Sequence, residues 1–223
     1  MSDVDQVAAA KASLELMLLE NRQLLEQFES LLENLQELES LPPEERHSRF
    51  HELENAGAFQ FRGIDIRHFG HPTKRPLSPQ QFLRRTHRRL ANTNTLIGEF
   101  LKRGPFEVGL KLRSEIDQVT SDIVDEEDAK EVLAFKQRVD EIRESEMFQE
   151  YLEAKKAFLQ QDPALKTESD ILAVTEHAQE AHEALEGREK ALQELNDNLE
   201  SGEVTAEEVA QQLDDLDLGL DGD

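Results

Sequence analysis

The sequence predicts an all-α protein, an elongated helical bundle or coiled coil with a long helical hairpin in its C-terminal half. Three observations carry that expectation. Of 223 residues, 33% are charged and only 5% aromatic, which suits long helices better than one large globular core. Apolar residues recur at seven-residue intervals over long stretches, the spacing of helices that bury a seam. Start and stop signals, Pro-Pro, Ser-Pro, Asp-Pro and Ser-Gly, bracket those stretches.

The first segment, residues 1–41, is read as an N-terminal coiled-coil helix. Val7, Leu14, Asn21, Phe28 and Leu35 share one position, and Ala10, Met17, Leu24, Leu31 and Leu38 follow three residues on. Leu14, Met17, Asn21, Leu24, Phe28, Leu31 and Leu35 form the expected association seam, facing a second copy or a protein partner. Leu18, Leu25 and Leu32 widen the stripe, so the helix should meet more than one neighbour. Asn21 either fixes register by pairing with another polar group or opens the helix to solvent.

Pro42 and Pro43 stop that helix. Residues 42–77 then form a short helix, from Pro43-Glu44-Glu45 to Asn55-Ala56-Gly57, and an irregular connector rich in proline and basic residues. Phe59, Phe61, Ile64 and Ile66 alternate around Arg62-Gly63, the pattern of one small β-hairpin near residues 58–67.

Residues 78–124 carry the clearest helix. Ser78 is its N-cap, Pro79 its first residue and Gln81 the partner in a capping box, with Lys102-Arg103-Gly104-Pro105 as the stop. At about 100° per residue, Phe82, Leu83, Leu90, Ile97, Phe100 and Leu101 take one arc. Arg84, Arg85, Arg88, Arg89, Lys102 and Arg103 take the other. Leu112, Ile116, Val119 and Ile123 then recur at helical spacing.

Residues 125–201 are read as a helical hairpin. An acidic start at Asp125-Glu126-Glu127-Asp128 leads into a stripe of Val132, Phe135, Val139 and Ile142, continued after a phase shift by Phe148, Tyr151, Leu152 and Phe158. Asp162-Pro163 breaks the rod. The return helix, expected to pack antiparallel, carries Ile171, Ala178, Leu185, Leu192 and Leu199, with Val174, Ala181 and Leu195 between and Gly187 as a place to bend. Residues 202–223 hold a short helix opened by the Thr205/Glu208 capping box and running to about Leu213, then an acidic tail of the composition of disordered segments.

The charge is polarised. Between Arg62 and Arg113 the chain carries twelve basic residues and three acids, within a protein of net charge −24. That is a statement about association rather than about chemistry. The absence of cysteine removes disulfides and thiolate chemistry and fits a reducing cytoplasm. The longest apolar run, Leu16 to Leu19, is far too short for a bilayer, and the acidic N-terminus has no signal-peptide pattern. The expected setting is therefore cytoplasmic with no membrane partner, and the acidity suits a high-salt cytoplasm.

Candidate chemistry is sparse. His47 and His51, at i,i+4 spacing beside Glu44 and Glu54, have the geometry to share a divalent metal in a metal-dependent enzyme, yet spacing supplies no third ligand. His68 and His71 flank Phe69-Gly70 in the connector, while His177 and His182 face different sides of their helix. There is no His-Glu-x-x-His, phosphate-binding glycine loop or dinucleotide fingerprint. No catalytic, cofactor or metal residue is assigned, and no small-molecule substrate is evident. The arginines of helix 79–103 suit an acidic surface on this chain or on a protein partner, a phosphate backbone, or simply a solvated face. The leading expectation is a non-enzymatic adaptor or regulatory subunit acting through protein association. A nucleic-acid-binding regulator using the basic helix is the alternative.

The stretch from Val139 to Pro163 resembles the YlbF/YmcA family of small helical regulatory proteins. The likeness rests on Ile142, Ser145, Phe148 and Tyr151 at the spacing Ile-x-x-Ser-x-x-aromatic-x-x-aromatic, on Ala154-Lys155, and on the Asp162-Pro163 break before a return helix. It covers about residues 132–199. The resemblance implies a non-enzymatic protein that acts by assembling with others. Leu195 to Val204 is similar to a turn in the exonuclease VII small subunit, over ten residues only.

Overall fold

The computed structural model describes residues 3–61, 64–68 and 77–216. Among them the chain is all-α, with eight helices and one two-residue by two-residue antiparallel ladder. It divides into two units, residues 77–176 and residues 1–76 with 177–223.

The 77–176 unit begins with α3 (Pro79–Leu101). Ser78 Oγ accepts from the Gln81 N–H at 3.2 Å and Gln81 Oε1 accepts from the Ser78 N–H at 3.0 Å, so the capping box forms as the sequence predicts. α4 (Glu107–Ser121), α5 (Ala129–Glu144) and α6 (Glu146–Gln161) follow. The phase shift in the apolar stripe is a break between two helices. Ser145 takes an extended conformation, ends α5 by donating to Ile142 O, and starts α6 by accepting from the Phe148 N–H. α7 (Pro163–Ser201) starts at the Asp-Pro break, where Asp162 Oδ1 accepts from the Leu165 N–H at 3.1 Å.

These helices close over an aromatic core. Phe100 is fully buried, stacks on Phe158 at 4.8 Å and meets Phe106 edge-on at 5.5 Å. Tyr151 packs against Phe106 and Phe148. Ile123 departs from the expected stripe: it is 98% exposed. α4 ends at Ser121 because Asp122 turns extended, which carries Ile123 off the helical arc. Gly109 lies where a Cβ would sit 2.2 Å from the Phe106 ring. Gly109→Ala is therefore expected to lower stability by about 1 to 3 kcal/mol, seen as a lower urea midpoint.

The other unit starts with α1 (Asp3–Ser40) and α2 (Pro43–Asn55), joined at Pro42. Arg46 folds back on the end of α1 and donates to the carbonyls of Leu38, Glu39 and Leu41, satisfying groups a helix end leaves open. Gly57 ends the turn after α2 with φ +75, a conformation glycine adopts without steric cost. The β-hairpin, β1 (Gln60–Phe61) and β2 (Ile64–Asp65), places Phe61 flat on Phe28 at 4.2 Å. Its Arg62-Gly63 turn lies outside the described residues, as do residues 69–76 of the connector, with His71, and residues 217–223 of the tail.

α7 continues through Gly187 without interruption, so the expected bend is not marked by any break in the helix. Its first turns, with Leu165, join the aromatic core, and Leu192, Leu195 and Leu199 share a core with Leu14, Val209 and Leu216. α8 (Ala206–Asp215) forms behind the Thr205/Glu208 capping box. The segment read as a tail begins ordered, since Asp214 and Asp215 belong to α8 and Leu216 is buried.

Candidate functional site

The seven-residue seam of α1 is covered by its own chain. Leu14, Asn21, Leu24, Phe28, Leu31 and Leu35 are buried and Met17 is half-buried. The partners are α7 and α8 around Leu14, and the hairpin around Phe28. The residues expected to form an association seam are thus buried within the chain itself. A heptad shows that a stripe must be buried, not whether the covering helix belongs to another molecule.

Asn21 has a polar partner set. Its Nδ2 donates to Leu185 O at 2.9 Å, and its Oδ1 accepts from Arg188 at 3.3 Å. Arg188, only 3% exposed, also donates through Nε to Leu216 O at 2.8 Å. Sequence reading missed Arg188, although the heptad run Val174, Ala181, Arg188, Leu195 places it on the buried arc.

The opposite arc of α1 is open. Ala9, Ala12, Leu16 and Leu19 recur at alternating spacings of three and four and are exposed, Leu16 by 67% and Leu19 by 55%. Acidic side chains flank this stripe: Glu15 and Glu26 on one side, Glu20 on the other. The exposed arc of α1 is thus an apolar ridge with acidic borders.

The basic face of α3 is largely engaged within the chain. Arg89 Nε pairs with Glu176 Oε1 at 2.7 Å, and Asn92 donates to the other oxygen at 2.9 Å. Arg103 bridges Asp162 at 2.6 Å and Glu99 at 3.2 Å, and Lys102 also pairs with Glu99. The Arg103 guanidinium, helped by the Leu165 N–H, holds the Asp162 carboxyl below its usual range. Arg85 and Arg88 are half-buried and engaged within the chain, while Arg84 is exposed. For Arg89, Lys102 and Arg103 the acidic surface is thus the protein's own. A face committed this far to internal pairs has fewer cations for a phosphate backbone.

The His47 and His51 rings meet edge-on at 4.6 Å, and His51 Nδ1 lies 3.2 Å from Glu54. Among the described residues no group of three or more His, Cys, Asp or Glu side chains is placed to hold a metal ion. His182 lies 3.6 Å from Glu29 and 3.8 Å from Glu186. His87 stacks on Phe135 at 5.1 Å, and burial lowers its pKa. No helix among the described residues is long and apolar enough to cross a membrane. Comparison with protein-family models, with curated proteins and with solved structures gives no match.

Proposed function

We propose that this protein is a non-enzymatic helical adaptor or regulatory subunit, working in a reducing cytoplasm, that docks an amphipathic helix of a partner protein on the outer stripe of α1. The exposure of Leu16 and Leu19 within a helical apolar repeat supports this reading. The acidic borders at Glu15, Glu20 and Glu26 favour a partner helix flanked by lysine or arginine and disfavour a second copy of the same acidic surface. The resemblance to YlbF/YmcA proteins points to the same class and rests on sequence alone.

The test is anisotropy of a labelled leucine-heptad peptide with lysine borders, against the same peptide with glutamate borders. The lysine form is expected to bind, and Leu16→Glu/Leu19→Glu to weaken it by at least about tenfold, because each buried leucine contributes about 1.5 to 3 kcal/mol. The substitution adds negative charge, so attraction by charge alone would rise instead of fall. Equal binding by the variant, or no binding by the parent, refutes the assignment. Self-association through the stripe, abolished by the same variant in sedimentation, would make a second copy the occupant. Retention on DNA or RNA that falls steeply with salt and is lost in Arg84→Glu/Arg88→Glu would instead favour the nucleic-acid reading.

A further inference from the structure

Within the 77–176 unit, α3, α5, α6 and α7 line a half-open cavity of about 260 Å³. Leu96, Ile142, Phe148 and Leu172 give it apolar walls, and Lys155 and Arg143 contribute cationic side chains to its lining.

The nearby carboxylates are already in use. Both oxygens of Glu176 accept hydrogen bonds, one from Arg89 and one from Asn92. Asp170 is paired with Lys166 at 2.6 Å. Among the described residues no hydrogen bond or ion pair reaches Lys155. Removal from water lowers its pKa, with the more distant Glu176 and Asp170 working in the opposite direction. A half-buried ammonium in that position gains most from an anion brought to it, because a charge-assisted contact restores what desolvation removed.

The geometry points to a binding site for a small organic carboxylate with a short apolar tail, its carboxylate set against Lys155 and Arg143 and its tail against Ile142, Phe148 and Leu172. The cavity lies just below the volume range of drug-sized ligand sites, which favours a short chain. Arg89 and Glu176 also line the pocket but pair with each other, which leaves Lys155 and Arg143 beside the apolar wall, a setting that suits a monocarboxylate with a tail better than a phosphate without one.

Hexanoate is the probe, with hexanol supplying the tail without the charge and inorganic phosphate the charge without the tail. Binding to the full chain is followed by calorimetry and by the carbon-13 NMR signal of the Lys155 side chain. Hexanoate is expected to bind and to shift that signal, with hexanol and phosphate at least about tenfold weaker, since a charged hydrogen bond contributes about 1.5 to 3 kcal/mol. Lys155→Gln is one atom shorter and still polar, removes a desolvated charge and is expected to fold and to weaken hexanoate about tenfold or more. Leu172→Phe fills the cavity, keeps the lysine and is expected to abolish binding. Failure of hexanoate to bind, or binding unchanged in either variant, overturns the assignment, as does hexanol binding equally well. None of these outcomes touches the α1 stripe, so this site and the docking reading fail separately.

Discussion

Phe100→Ala is expected to destabilise the protein by about 3 to 5 kcal/mol, the range for truncating a fully buried aromatic side chain. Phe100 is 0% exposed and touches Phe106, Tyr151 and Phe158. These rings come from α3, from the N-cap of α4 and from α6, so the truncation opens a gap where three elements meet. Close-packed aromatics relax poorly around such a gap. The chain has one tyrosine and no tryptophan, which gives the core its own optical reporter. Burial pushes the Tyr151 hydroxyl up to about 12 from 10.0. A pKa raised on folding adds stability that is fully present below pH 10 and is lost as pH rises through about 12. In Phe100→Ala, absorbance titration should show the phenol ionising nearer its ordinary value, alongside a lower urea midpoint. A variant with both unchanged would show that Phe100 does not hold this core together.

The sequence made helix ends legible wherever a side chain or a proline enforces them. Ser78 with Gln81, Thr205 with Glu208, Pro43 and Asp162-Pro163 each fix a terminus through a local bond or a missing donor. Ser145 was visible only as a phase shift, because serine caps some helices and continues others. The apolar stripe of α1 was legible as buried, but its partner was not. Periodicity reports the face of one helix, and the choice between its own α7 and another molecule depends on chain topology. The basic face of α3 shows the same limit: its arginines stand out in the sequence, but Glu176 lies 87 residues from Arg89 and shares no pattern with it. Leu16 and Leu19 were seen only as part of a short apolar run. Their exposure emerges once the opposite arc is known to be occupied.

The Asn21–Arg188 pair is where the remaining large effect is expected. Asn21 is 0% exposed and Arg188 3%, so either substitution alone leaves polar groups inside the protein with fewer partners. Arg188→Met strands the Leu216 carbonyl and Asn21 Oδ1, and Asn21→Leu takes one acceptor from the guanidinium and the Nδ2 donor from Leu185 O. Removing one member of a buried charged network costs about 3 to 5 kcal/mol, whereas replacing all of it by apolar groups of similar volume is often close to neutral. The double variant Asn21→Leu/Arg188→Met is therefore expected to be more stable than the sum of the single effects by about 1 to 3 kcal/mol. Far-ultraviolet circular dichroism in urea measures all four proteins of the cycle. Strict additivity would mean that the two side chains do not act together. The pair has a second consequence, because Arg188 holds the carbonyl at the end of α8. Arg188→Met should release α8 before α1 and α7 separate, which hydrogen exchange reads as early loss of protection confined to residues 206–216. If α8 instead keeps its protection to the global transition, the buried guanidinium ties α1 to α7 and leaves the docking of α8 to Val209 and Leu216.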